Sequence, residues 1–176
     1  MEQTALLEPA AALSAPVLDV DETDLYGLFK FRVDGEAVPQ GSFVAFIGKY
    51  DGKARLKSSN EKALNAWRKY VAEVATYRRP HWLADLWDGP IGVSYLFVRE
   101  RNDGDYLADG VTLKAGARRL PDTAPDCDKL ERAVNDALTD VVFTNDARIT
   151  DWAGRKRFAP PGGSAYVDLD VYLLRP

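Results

Sequence analysis

Pro125-Asp126-Cys127-Asp128-Lys129-Leu130 runs on as Glu131-Arg132-Ala133-Val134-Asn135-Asp136-Ala137-Leu138 and then reaches Asn145-Asp146-Ala147-Arg148-Ile149. Leu130, Ala133, Val134, Ala137 and Leu138 recur at helical spacing, which predicts a helix from about Asp128 to Thr139 with one apolar stripe. Pro125 biases the residue before it toward an extended backbone. Asp126 and Asp128, two apart in an extended approach to that helix, then point the same way. Asp128 suits the N-cap position, at a helix end whose partial positive charge favours anions. Capping alone accounts for Asp128; it does not account for Asp126, nor for Asn145-Asp146 at the start of the next strand.

Outward from this stretch, period-two alternation marks strands. Leu28-Phe29-Lys30-Phe31-Arg32-Val33 reads as a half-buried strand closed by the turn Asp34-Gly35, and Ser42–Ile47 as a second. Ser58 with Glu61 forms a capping box for a helix over about Asn60–Tyr77, with Leu64, Trp67, Val71 and Val74 on one face and Arg78-Arg79-Pro80 ending it. Ile91–Val98 is a third strand, and a long Gly-, Asp- and Arg-containing loop follows from Arg99 to about Pro125. Arg148–Phe158 and Ala165–Leu174 close the chain, joined as a hairpin by Pro160-Pro161-Gly162-Gly163. The order β-β-α-β-α-β-β predicts an α+β domain: a mixed sheet with two main helices packed on it.

Residues 1–24 hold Glu2, Glu8, Asp19, Asp21, Glu22 and Asp24 and no Lys or Arg, which predicts a disordered acidic leader before a domain over 25–176. The formal charge is −4 overall, and without those six carboxylates it is +2, a balance that permits a nucleic-acid partner. No apolar run is long enough to span a membrane. The one cysteine, Cys127, excludes an internal disulfide and suits a reducing cytoplasm.

The single histidine, His81, removes a His-rich zinc site, and a Ser-His-Asp triad would have to use it beside Pro80 and Trp82, where no nucleophile motif stands. Carboxylates with Arg and Lys are what remains, and clustered carboxylates suit a hard cation, Mg²⁺ above all. A helix over 129–139 carries the chain away by ~16 Å. An extended 141–146 returns it by up to ~20 Å, with Asp140 able to take the left-handed turn between them. Asp146 can therefore reach Asp126 and Asp128 within one chain; a site shared across a dimer satisfies the sequence equally. Three such carboxylates would hold Mg²⁺ for an in-line attack of water on a phosphodiester. Arg132, one turn after Asp128, would hold a phosphate, or else pair with Asp128 or Asp136 on the surface.

The Pro-Asp-x-Asp-x-Leu run, the helix ending Asp136-Ala137-Leu138 and the Asn145-Asp146 pair closely resemble the RusA Holliday junction resolvases. Val33-Asp34-Gly35 and Pro39-Gln40-Gly41 are similar to that family's opening strand and Pro-Lys-Gly turn, so the resemblance spans roughly residues 29–174. It implies a homodimeric, Mg²⁺-dependent endonuclease that cuts branched DNA, with catalytic, metal-holding aspartates at Asp126, Asp128 and Asp146 and the catalytic-site lysine replaced by Arg132. The family's Asn after the second Asp is Lys129 here, the first Asp of its later pair is Asn145, and its turn lysine is Gln40. An Arg keeps a lysine's charge but not its compact ammonium geometry. Arg101, Lys114, Arg118 and Arg119 of the long loop, with Lys129, are candidate contacts to the DNA backbone. A DNA-binding protein of the same fold without catalysis, or a phosphoesterase with another substrate, are the competing readings.

Overall fold

The computed structural model describes residues 13–41, 43–47, 49–58 and 60–176. Six strands and two helices follow one another as β1 (Leu25–Asp34), β2 (Phe43–Ile47), β3 (Ala54–Ser58), α1 (Glu61–Arg78), β4 (Ile91–Arg99), α2 (Cys127–Leu138), β5 (Ile149–Phe158) and β6 (Tyr166–Leu174). Four of the strands form one sheet in the order β1-β6-β4-β5, while β2 and β3 pair apart as an antiparallel ribbon. Within this sheet β4 and β5 run parallel, and β6 is antiparallel to both of its neighbours. The sheet is mixed and both helices pack on it, the α+β class that the sequence predicts.

Alternation decides which face is which. Phe29, Phe31 and Val33 of β1, Ile91, Val93, Tyr95 and Phe97 of β4, and Val167, Leu169, Val171 and Leu173 of β6 share one core with both helices. Helix α1 contributes Leu64, Trp67, Val71 and Ala75, and α2 contributes Leu130, Ala133, Val134, Ala137 and Leu138. Full burial of one such aliphatic side chain stabilises by about 1.5–3 kcal/mol, so the stripe, not capping, holds α2 in place. Leu138, fully buried, is the residue whose truncation to alanine would most directly loosen its C-terminal end.

Three expectations change. The ribbon strand β3 adds an element, so the order is β-β-β-α-β-α-β-β. Ser58 lies in β3, and the residue before α1 is Asn60, whose side-chain amide donates to the Pro39 carbonyl at 2.8 Å; the N-cap position is Asn60 and not Ser58. Pro160–Gly163 makes a turn, with Gly163 N–H donating to the Pro160 carbonyl at 2.9 Å. It does not join a hairpin, because β4 lies between β5 and β6. Turn chemistry in the sequence marks a reversal but does not say which strands pair across it.

Residues 1–12 of the expected leader lie outside the described residues. From 13 onward the chain crosses the sheet's other face: Ala15 packs with Leu96, Val98 and Ala159, with Leu13 and Tyr166 alongside. A Cβ on Gly92 would meet Leu18 Cδ1 at 2.7 Å, so Gly92 makes room for that leucine. Beside this strap, Lys30 and Arg32 of β1 pair across to Asp170 and Asp168 of β6. No helix among the described residues is long and apolar enough to cross a membrane.

Candidate active site

Asp126 is the residue before α2, with an extended backbone (φ −70°, ψ 146°), and Asp128 falls in the first helical turn. This places the N-cap two residues ahead of the expected Asp128. The Asp126 side chain does not cap the helix; its carboxylate takes the ammonium of Lys129 at 2.9 Å. That hydrogen bond and charge, with Lys156 behind them, hold the Asp126 carboxyl below the usual aspartate range. Lys129 thus pairs with Asp126 at the surface of the helix end.

Two neighbours fix this end of α2. Lys156 of β5 donates to the carbonyls of Thr123 and Pro125, each at 2.8 Å, and so ties the approach to Asp126 onto the sheet. From the other side, the backbone N–H of Gln40 donates to the Lys129 carbonyl at 2.9 Å, and Arg68 of α1 donates to both Gln40 and Asp136. Arg68 occupies Asp136, and Arg132 is exposed with no ion-pair partner among the described residues. Of the two roles open to Arg132 in the sequence, the surface pair is not formed. Underneath, the buried Tyr95 hydroxyl donates to Asn135 Oδ1 at 2.5 Å, and burial pushes that phenol's pKa up.

Glu131 lies over Gly154 of β5: a Cβ there would come within 1.9 Å of Glu131 Oε1, so any other residue would push this carboxylate aside. Burial first, and the charge of Asp128 second, push the Glu131 carboxyl up from its ordinary value. Burial likewise pushes up the Cys127 thiol, which disfavours a thiolate ligand beside the aspartates.

Asp146 stands on a separate 3-10 turn, Asp146–Arg148, that touches α2. Asp140 takes the left-handed conformation (φ 61°), as its place after the helix predicts. Asn145 Oδ1 accepts from the Ala147 N–H at 2.8 Å, a cap that an aspartate would supply equally. Asp88 accepts from Thr144 Oγ1 at 2.6 Å and from Arg148 at 2.8 Å. Trp87 brackets the same segment through its backbone, donating to Val142 at 2.9 Å and accepting from Thr144 at 3.0 Å. Asp126, Asp128 and Asp146 are all exposed. Among the described residues no group of three carboxylate, histidine or cysteine side chains is close enough to hold a metal ion. The chain that α2 carries away does come back against it, but the three aspartates do not close into one cage within a single chain.

The loop between β4 and α2 is ordered by its own bonds. Arg101 lies over the Phe158 ring at 4.0 Å, donates to the Arg118 carbonyl at 2.6 Å and pairs with Asp105 at 3.5 Å. Its side chain is 6% exposed, so it braces the loop and does not face a phosphate. Lys114 donates to the Gly104 carbonyl at 2.6 Å, and Arg118 pairs with Asp122 at 2.9 Å. Arg119 is exposed and without an ion pair among the described residues. Arg68, Asp88 and Lys156 were not legible as site residues, since each acts through a long-range contact; for Lys156 the one signal is its two-residue offset from Gly154 on β5.

Asp126, Asp128 and Arg132 on one helix end, with Asp146 on a braced turn against that helix, are groups suited to a phosphodiester and a hard cation. A comparison with curated proteins finds no match. The family profile described as Endodeoxyribonuclease RusA matches residues 48–167, which takes in α1, β4, α2 and β5 with every one of these groups. That match covers more than half of the chain, and the chain belongs to the RusA endodeoxyribonuclease family.

Proposed function

We propose that the protein resolves four-way DNA junctions and related branched DNA in recombination and repair, with Mg²⁺ as cofactor and a homodimer as the active unit. The observation that carries the reading is Arg132: an exposed guanidinium with no ion-pair partner among the described residues, one turn along the helix from Asp128. A cation kept unpaired beside two aspartates suits an anionic substrate, and a guanidinium can grip two phosphate oxygens at once.

The donor set fits Mg²⁺: oxygen ligands at Asp126 and Asp128, a raised thiol at Cys127, and no histidine near them. Asp126 and Asp128 would hold the ion, and Asp146 is the third candidate ligand. When bound, the ion would lower the pKa of a water molecule and offset charge on the phosphate. In this chain Lys129 holds the Asp126 carboxylate, Lys156 fixes the backbone behind it, and Arg132 orients the phosphate. A four-way junction needs two cuts, and two identical sites related by a dimer axis match its symmetry.

The test is cleavage of a labelled synthetic four-way junction beside a linear duplex, with and without Mg²⁺. Paired nicks in opposing strands of the junction, lost with chelator, are expected. Arg132→Ala should slow junction cleavage about 100-fold while Arg132→Lys recovers part of it. Equal cutting of linear duplex, or wild-type rates in Arg132→Ala, would sink the reading.

A further inference from the structure

Among the described residues strand β5 has a strand neighbour on one side only, β4, so its other edge is free of strand pairing. It is also the cationic strand: Arg155, Lys156 and Arg157 against one carboxylate, Asp151. Arg155 is exposed and has no ion-pair partner among the described residues, whereas Lys156 is spent on the Thr123 and Pro125 carbonyls.

On this edge stands Trp152, 63% exposed. Register fixes the face it shares. Trp152 lies opposite Val93 and Gly154 opposite Tyr95, both core residues of the helix-covered face. Gly154 is where Glu131 of α2 rests, so the indole projects on the same side as α2 and Asp128. Among the described residues Trp152 has no ring partner, whereas Tyr26, also exposed, is in contact with the rings of Trp82 and Trp87. Arg155 lies opposite Leu96 and so projects on the other face, which leaves an open indole and an unpaired guanidinium on the two flanks of one edge; along such an edge a nucleic-acid strand can be held by a ring stacked on a base face and a cation on a phosphate.

We propose that the open edge of β5 docks a DNA strand of the branched substrate, with Trp152 stacking on an unpaired base and Arg155 holding a nearby phosphate. The inference rests on the nuclease reading above and adds to it the feature that tells a branch from a plain duplex. In an intact duplex both faces of every base are covered by stacking, so a protruding indole gains little; at a branch point an uncovered base face is on offer. Trp152 and Arg155 lie about 10 Å apart along the strand, close to three nucleotide steps of a duplex strand. Base and phosphate contacts can therefore fall within one short run of the same strand. A second copy of the chain is the other occupant an open edge can take. The cations argue against it, since charged edge strands discourage strand-to-strand pairing.

The experiment uses the full chain in Mg²⁺-free buffer, with fluorescence anisotropy on a labelled four-way junction and on a labelled linear duplex. Trp152→Ala should bind the junction about tenfold more weakly and the duplex within twofold of wild type. Trp152→Phe, which keeps a stacking ring, should recover most of the loss. Far-ultraviolet dichroism and the melting temperature check that each variant folds; the exposed position predicts no change. Sedimentation of Trp152→Ala should give the wild-type mass. Junction binding by Trp152→Ala within twofold of wild type overturns the proposal, as does a halved mass with both DNAs weakened alike, which gives the edge to a second copy. If wild type shows no preference for the junction, the proposal falls. If wild type binds the junction selectively through Trp152 but does not cut it, the nuclease reading falls and the docking surface stands.

Discussion

Lys156→Met removes an ammonium whose two bonds, both 2.8 Å, run to the Thr123 and Pro125 carbonyls. A hydrogen bond to a charged group contributes about 1.5–3 kcal/mol; Lys156 is only half-buried, so about 1 kcal/mol for each is the better figure, and the pair comes to about 2 kcal/mol. For a domain of this size that is a fall in Tm of about 4–8 °C. The Pro125 carbonyl belongs to the residue before Asp126, so its release frees the carboxylate as well as the loop. Groups that orient metal ligands change metal affinity or activity about 10- to 100-fold when lost. The Mg²⁺ concentration for half-maximal junction cleavage should therefore rise at least about tenfold, with the rate largely restored at saturating Mg²⁺. Lys156→Arg, which keeps charge and donors, should lie between the two. A variant with a lowered Tm and an unchanged Mg²⁺ midpoint would refute the positioning role and leave Lys156 a structural tie alone.

Asp126→Asn, Asp128→Asn and Asp146→Asn should each abolish cleavage and leave Tm within a degree or two, because all three carboxylates are exposed; one fully active variant would remove that residue from the site. Glu131→Gln should raise stability at neutral pH. The Glu131 carboxyl is pushed up in the fold, so its ionisation destabilises the folded state as pH climbs above the ordinary glutamate range, and the gain should vanish below it. Melting curves of both proteins from pH 4 to pH 8 measure this, and a gain independent of pH would point to some other cause. Deleting residues 1–18 should leave a folded domain that melts lower, by about 2 kcal/mol for the lost Ala15 and Leu18 contacts. An unchanged Tm would mean that the strap contributes nothing.

The strands and both helices were legible wherever apolar spacing was regular, as in α2, whose bounds the sequence placed within a residue. Pairing was not. Pro160–Gly163 announces a reversal, but that β4 separates the two strands depends on the parallel fit of Trp152 and Gly154 to Val93 and Tyr95. The ribbon strand Ala54–Ser58 escaped because Ala-Arg-Leu-Lys-Ser has one large apolar residue and so no apolar alternation to betray it. At the site, the spacing of Asp126, Asp128 and Arg132 along one helix end was readable from the chain, since it is local. That Asp136 is taken, and not by Arg132, is decided by Arg68, far away in sequence. That Arg101 turns inward is decided by the Phe158 ring beneath it.

Strand β6 lies in the interior of the sheet, between β1 and β4, yet it is the last strand along the chain. During synthesis β1 emerges early and has no partner of its own until β6 follows. It is paired along its length, Leu25 with Leu174 through to Asp34 with Tyr166. Until then Phe29, Phe31 and Val33 have no sheet to belong to, and β4 has an open side. Closing pairs so distant in sequence is slow and exposes apolar surface meanwhile. Ribosomes stalled short of Tyr166 should therefore hold a chain with its helices partly formed and its sheet open, a species that chaperones would have to shelter and that proteases would find.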